Sequence, residues 1–151
     1  MSDLKYSAVA ALILFGACGS PARHAVRTGE ASLQVVSEVA CGTSGASAPR
    51  AANGGEAHCF SLRPLLDEND VLSAATDETA DGRPLVLTLN ANAAARVRQF
   101  TGHNIGRHLG IFVSGRLVSV PMIAAPTSQI PVGGYTSDEE RQLLKSFGPA
   151  R

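Results

Sequence analysis

The sequence predicts a single α+β domain, a mostly antiparallel sheet with two principal helices packed on it. The 151-residue chain is long enough for one hydrophobic core and short for two. Short apolar runs separated by turn residues indicate strands joined by hairpins. Two later segments instead begin with N-cap residues and carry apolar side chains at helical spacing.

The composition excludes several classes of protein. Lys plus Arg and Asp plus Glu each number 13, so the net charge is zero and nucleic acid is not an expected partner. Hydrophobic residues make up 44% of the chain, which argues against a wholly disordered protein. There is no Trp, and aromatic residues make up 5%, too few for a base-stacking platform.

Residues 1–17 have the pattern of a bacterial lipoprotein signal peptide. Lys5 precedes an apolar run at 8–15, which is shorter than the ~20 residues that a bilayer span needs. The run leads into Phe-Gly-Ala-Cys, which resembles a lipobox although Phe15 replaces the usual Leu. We expect Cys18 to become the lipid-modified (palmitate-bearing) first residue of the mature protein. An ordinary secretory signal cleaved nearby is the alternative.

The anchor sets the expected location and organisation of the chain. Residues 18–32 are mostly small and polar, and we interpret them as a flexible tether. Residues 33–151 then form the folded domain. The lipid alone would hold this domain to a membrane of the bacterial cell envelope, facing the periplasm. Gly19 is not the Asp that retains lipoproteins at the inner membrane, so either membrane is possible.

The cysteines fit an exported protein. If Cys18 carries lipid, Cys41 and Cys59 remain, and an oxidising compartment favours a disulfide between them. They bracket 17 residues that are mostly Gly, Ala, Ser, Asn and Pro. Free thiols, or a metal site that includes His58, are the alternatives. A zinc site needs four ligands at recognisable spacing, which we do not find, so no metal is predicted.

The first half of the domain predicts three strands, at 33–39, 59–62 and 71–76. Pro64 and the acidic run at 67–70 predict a turn between the second and third strands. The acids lack the further ligands of a calcium loop, and we interpret them as a solvated turn.

The second half has stronger local signals. A strand at 84–89 precedes Asn90, which is predicted to cap a helix at 91–102. Ser-Gly at 114–115 predicts a tight hairpin between strands at 109–113 and 116–120. An extended segment follows at 122–132. The last helix begins with a Thr136–Glu139 capping box and is predicted to bury its apolar face, formed by Leu143, Leu144 and Phe147.

Residues 84–147 resemble the head subdomain of SecD, a membrane subunit of the bacterial protein-export machinery. The shared order is a strand, a Thr-bearing helix, an Asn-x-Gly-Arg turn, a hairpin, a Ser-x-Pro-x-Ile run and a Thr-capped helix. The matching residues are Thr101, Asn104, Gly106, Arg107, Gly115, Ser119, Pro121 and Ile123. SecD has transmembrane helices that couple it to proton flow, whereas this sequence predicts none, so it is not expected to be the motor.

The resemblance implies a non-catalytic envelope lipoprotein that binds or scaffolds polypeptide, with a link to protein export. The SecD head is thought to contact translocating polypeptide, so polypeptide or an envelope protein is the expected partner, and no cofactor is expected. An exported hydrolase with an unrecognised site, or a structural lipoprotein with no ligand, are the alternatives.

Asn104, Gly106 and Arg107 form the most distinctive cluster in the sequence. They could bind an anion or a peptide carboxylate, or they could form the turn that leaves the first helix, which we favour. In that turn we expect Ile105 to plug the core and Arg107 to bond to carbonyls or an acid. His103 and His108 are five residues apart rather than four, and Ser119 lacks a nucleophile-elbow motif, so neither predicts chemistry.

Overall fold

A computed structural model describes residues 32–80 and 82–147. The predicted signal peptide, Cys18 and all but the last residue of the tether lie outside them. The elements, in chain order, are β1 (Leu33–Val39), β2 (Cys59–Asp67), β3 (Val71–Thr76), β4 (Leu85–Leu89), α1 (Ala91–His103), β5 (Leu109–Val113), β6 (Arg116–Ser119), β7 (Pro131–Val132) and α2 (Ser137–Phe147). In the described part of the chain, neither helix is long and apolar enough to cross a membrane.

The strands form two antiparallel sheets, which confirms the predicted α+β class. One sheet has the order β2-β1-β5-β6 and the other the order β3-β4-β7. The main core draws buried side chains from both sheets and both helices, including Leu33, Leu87, Val97, Ile111 and Leu143. The sequence did not separate the strands into two sheets, because pairing partners are not encoded locally.

β2 is longer than predicted, since it continues through Pro64 to Asp67. Proline has no N–H to donate, but β2 is an edge strand, where one side of the backbone needs no partner. Pro64 lies opposite Val36 at a shift in the strand register, which accommodates the missing donor. Asp67 then caps a short 3₁₀ turn, Glu68–Asp70, so the acidic run is a turn as predicted.

Both helix starts and the hairpin are confirmed. Asn90 accepts a hydrogen bond from the Ala93 N–H at 2.8 Å. The N–H of Thr136 donates to the Glu139 carboxylate at 2.7 Å, which forms the capping box of α2. Ser114 and Gly115 have φ of 49° and 78°, the positive values that a tight primed turn requires.

The face of the four-stranded sheet that lies away from the main core carries a second apolar cluster. Val36, Phe60 and Leu117 are buried there, and Phe112 packs against them. A Cβ at Gly110 would lie 2.8 Å from the Phe60 ring, so a residue without a side chain is required beneath that ring. The loop between β1 and β2 pairs with Ser61 of β2 through Ala46, and with His58, the residue before β2, through Arg50.

Candidate functional site

Three side chains meet at one end of the four-stranded sheet. Glu38 Oε1 lies 2.7 Å from Nδ1 of His58, and Glu38 Oε2 lies 3.0 Å from Nδ1 of His108. The two imidazole rings are 4.6 Å apart between centroids. One potential ligand atom from each of the three residues lies within 4.8 Å of the others. A single carboxylate therefore bridges two histidines.

The sheet order brings these residues together. β1 lies between β2 and β5, and Glu38 is its penultimate residue. His58 immediately precedes β2, and His108 immediately precedes β5. Because both neighbours run antiparallel to β1, their first residues flank the last residues of β1. The Glu38 N–H also donates to the His108 carbonyl at 3.0 Å, which fixes the two backbones together.

The backbone of His58 is clamped on both sides. It exchanges two backbone hydrogen bonds with Arg50, at 2.7 and 2.8 Å. Cys59, the next residue, is joined to Cys41 by a disulfide with a Cα–Cα distance of 5.2 Å. Cys41 and Cys59 are the two cysteines that the sequence analysis paired on the assumption that Cys18 carries lipid. The linkage ties the end of the loop to the end of β1 and so holds His58 beside Glu38.

The Glu38 carboxylate is ionised at neutral pH. Burial by itself would raise the pKa of Glu38, but hydrogen bonds from His58, the His108 N–H and the His108 ring outweigh that effect. Together they lower the pKa of Glu38 to about 2. Its two oxygens therefore carry a full negative charge between the imidazole rings.

The cluster forms part of the wall of an open cleft of about 480 Å³. His58 and His108 line this cleft together with Glu56, Ser119, Val120 and the Gly133-Gly134 turn. The side chains of His58, Glu38 and His108 are 11%, 26% and 31% exposed. The three polar groups are thus partly shielded from water, and the two imidazoles are reachable from the cleft.

Two imidazoles and a carboxylate form a donor set that suits zinc and other first-row transition metals. The same groups can exchange protons, since each neutral imidazole has one donor and one acceptor nitrogen. Ser119 lines the same cleft, but no hydrogen bond within residues 32–80 and 82–147 joins its hydroxyl to either imidazole.

The sequence pattern did not predict this cluster, because it groups the histidines differently. In sequence, His58 stands beside the cysteines, which are joined to each other, and His103 stands near His108. His103 lies on α1, where Nδ1 lies 2.7 Å from the Gln99 carbonyl one turn earlier. His108 lies beside Glu38, which is 70 residues away in the chain. The available signal was that Glu38, His58 and His108 each lie at the end of a predicted strand.

The turn at 104–107 has the architecture that the sequence favoured. Asn104 ends α1, and its side-chain amide donates to the Phe100 carbonyl at 2.8 Å. Gly106 has a φ of +85°, and its N–H donates to the Ile123 carbonyl at 2.8 Å. The turn thereby pairs with the segment that follows β6. These contacts hold the end of α1, the turn and the paired segment together.

The side chains of the turn differ from the expectation. Ile105 was predicted to plug the core, but it is 57% exposed, so that prediction is wrong. The backbone reverses within the turn and directs Ile105 outward, while Ile123 on the paired segment fills the core. Arg107 is also exposed, and its guanidinium has no hydrogen bond or ion pair within the described ranges.

Most of the described chain matches a known protein family. The model of the SecDF P1 head subdomain matches residues 46–146. The chain belongs to the SecDF P1 head subdomain family. The match extends upstream of residue 84, where the sequence alone shows only a loose likeness, and includes the second part of the loop before β2, together with β2 and β3.

Solved SecDF structures share the fold. One, described as a membrane component SecDF that enhances protein export, is 17% identical with a TM-score of 0.55 and matches 81% of this chain and 64% of its own. Another, SecDF in a super-membrane-facing form, is 19% identical with a TM-score of 0.54 and matches 81% of this chain and 19% of its own. This chain thus spans less than two thirds of either relative. No curated protein matches it.

Proposed function

We propose that this protein is a non-catalytic module of the bacterial cell envelope that binds or scaffolds polypeptide in a process related to protein export. The observation that carries the proposal is membership of the SecDF P1 head subdomain family over residues 46–146. One of the solved relatives that share its fold is described as enhancing protein export. The role is carried over as an analogy, because a shared fold can host different functions.

Two exposed apolar residues support a polypeptide-binding surface beside the turn. Ile105 is 57% exposed and Met122 is 60% exposed. They lie on segments whose backbones pair through the bridge between His108 and Met122. Met is flexible and polarisable, which suits binding to varied side chains, and an unfolded polypeptide presents apolar side chains that a folded one hides. We define the turn surface as Ile105, Arg107 and Met122.

Site-specific photocrosslinking tests this surface. A photoreactive residue at Ile105 or at Met122 should crosslink to a secretory polypeptide arrested during export. Leu72 is the matched control, because it is an apolar residue that is 62% exposed on β3. Adding Ile105→Asp to the protein labelled at Met122 should weaken the crosslink. Equal crosslinking from Leu72, or no polypeptide crosslinked from the turn surface, would contradict the proposal.

A lipid on Cys18 is the second part of the proposal. It is supported by the lipobox-like sequence after the apolar run and places the domain in the periplasm on a tether at 18–32. Cys18→Ser should release the protein from the membrane fraction, and mass spectrometry of the mature chain should find acyl chains on Cys18. An unmodified Cys18, or cleavage at another position, would overturn this part and leave the polypeptide-binding part standing.

A hydrolase is the alternative from another class, and the cleft defines its test. Ser119, His58 and His108 share the cleft wall, so a serine-directed fluorophosphonate probe reports on any activated hydroxyl. We expect no labelling of the folded protein. Labelling that Ser119→Ala abolishes would favour the hydrolase. A purely structural lipoprotein would show neither labelling nor crosslinking.

A further inference from the structure

We propose that Glu38, His58 and His108 bind a divalent transition-metal ion, with Zn²⁺ as the probe, at the wall of the cleft. The proposal is independent of polypeptide binding, since the turn surface contains none of these three residues. It rests on the identity of the donors, their separation, their fixed backbones and their charge.

The donors are those that transition metals prefer. Imidazole nitrogen and carboxylate oxygen bind Zn²⁺ at about 2.0–2.2 Å, and sites with three protein ligands leave one position for water or another ligand. Two histidines and one carboxylate are such a set. His58 and His108 line the cleft, so the remaining position would face it.

The separations need only small changes to fit an ion. Ligand atoms of a tetrahedral zinc site lie about 3.3 Å apart, given bonds of about 2.0 Å. In the structure the carboxylate oxygens lie 2.7 and 3.0 Å from the two Nδ1 atoms. All three donors fall within 4.8 Å of one another. An ion bound to the two Nδ1 atoms would displace the protons shared with Glu38, which would pass to Nε2 of each ring or to water.

The backbones of all three residues are fixed. Glu38 lies in β1 between two paired strands, and its N–H donates to the His108 carbonyl. The His108 N–H donates to Glu38 Oε2 at 2.9 Å. His58 lies between the disulfide at Cys59 and its backbone pairing with Arg50. Donors on rigid elements lose little conformational entropy when an ion binds.

The charge of the cluster also favours a cation. The Glu38 carboxylate is partly buried, and within residues 32–80 and 82–147 its ion-pair partners are the two histidines alone, with no Lys or Arg. Glu56 adds a second carboxylate to the lining of the cleft. A divalent ion at this position would meet the Glu38 carboxylate and two imidazole rings, with the Glu56 carboxylate on the same cleft.

Calorimetric titration of the full chain with Zn²⁺ tests the site. The protein should carry no His-tag, and its disulfide should be intact, because free thiols would bind zinc themselves. We expect one Zn²⁺ per chain. His58→Ala and His108→Ala should each weaken the affinity at least about tenfold, and Glu38→Gln should weaken it too. His103→Ala is the matched control, since this exposed histidine on α1 contacts the Gln99 carbonyl of its own helix. The His103→Ala variant should bind Zn²⁺ with the same affinity as the wild type.

NMR of the unmodified protein covers the case in which a variant fails to fold. Zn²⁺ should shift the imidazole signals of His58 and His108 and leave those of His103 in place. Co²⁺ should give the absorption of a four- or five-coordinate ion. The proposal is overturned if Zn²⁺ does not bind at one per chain, if His103→Ala weakens binding as much as His58→Ala, or if the signals of His58 and His108 do not shift.

Discussion

The side chain of Thr101 is hydrogen-bonded to the backbone of Thr127. The Thr127 N–H donates to Thr101 Oγ1 at 2.9 Å, and the same hydroxyl lies 3.1 Å from the Thr127 carbonyl and 2.9 Å from the Val97 carbonyl. Thr101 is fully buried. It therefore ties the last turn of α1 to the extended segment between β6 and β7.

Thr101→Val should lower the free energy of unfolding by about 1–3 kcal/mol, because it preserves the shape but leaves the partly buried Thr127 N–H without its acceptor. Denaturation in urea, followed by circular dichroism, measures the loss in the free energy of unfolding. Thr127→Val is the control. Its backbone bond to Thr101 survives, so its loss should be smaller. Equal losses in the two variants would contradict the role given to the Thr101 hydroxyl.

The two glycines of the turn after β7 should respond very differently to alanine. Gly134 has a φ of +71°, and a Cβ there would lie 2.1 Å from the Val118 carbonyl oxygen. A Cβ at Gly133 would meet no atom within 4 Å. Gly134→Ala should lower the free energy of unfolding by more than about 2 kcal/mol, since the backbone must move, and Gly133→Ala by less than about 0.5 kcal/mol. Thermal melts of both variants provide the comparison.

Gly106→Val tests whether the turn at 104–107 serves architecture or binding. At a φ of +85° a β-branched residue is strained even though the space around Gly106 is open. We expect a loss of more than about 1 kcal/mol in the free energy of unfolding, and a smaller loss for Arg107→Ala. If Gly106→Val leaves the melting temperature unchanged but abolishes crosslinking from the turn surface, the residue serves binding instead.

Local signals in the sequence predicted where helices and the hairpin begin. Features that depend on which strands pair with each other were not predicted. The caps formed by Asn90 and Thr136 and the Ser114-Gly115 turn depend only on residues close in sequence. All three were predicted correctly. Pro64 was assigned to a turn because nothing in the sequence indicates that its strand lies at an edge.

The candidate site shows the same limit. Glu38 is 20 residues from His58 and 70 from His108, and each is an ordinary polar residue at the end of a predicted strand. Only the order β2-β1-β5 makes them neighbours. The predicted burial of Ile105 was wrong for a related reason. The direction of a side chain in a turn depends on the segment that pairs with the turn.

The disulfide should contribute to stability mainly by restricting the unfolded chain. A loop of 17 residues between Cys41 and Cys59 corresponds to about 3 kcal/mol in the chain-entropy model. A reducing agent, or the variant C41S/C59S, should therefore lower the melting temperature by several degrees. Alkylation without reductant, followed by mass spectrometry, should find neither cysteine modified in the exported protein. Labelling of both thiols would show that the pair is not formed.

Glu139 links the helix α2 to the β5–β6 hairpin through its charge. Arg116 Nε donates to Glu139 Oε1 at 3.0 Å, and Arg116 Nη2 donates to Oε2. The hydrogen bond from Arg116 is the main cause that lowers the pKa of Glu139. Burial opposes it, and the bonds from Thr136 add to it. Glu139→Gln removes the charge and keeps an acceptor for the capping box.

We expect Glu139→Gln to lower the free energy of unfolding by about 0.5–1 kcal/mol at pH 7. The effect is small because the Arg116 side chain is 44% exposed and water screens the pair. The pKa of Glu139 is lower in the folded protein than in the unfolded chain. The stabilisation is therefore complete above the unfolded pKa of about 4.5 and is lost as the pH falls through the folded pKa. Unfolding free energies of wild type and E139Q should differ by a constant amount from pH 7 to about pH 5 and converge below it. Asp138→Asn, which removes an exposed pair with Arg141, should show a smaller effect. A gap between wild type and E139Q that persists unchanged to pH 3 would contradict a stabilising charge at Glu139.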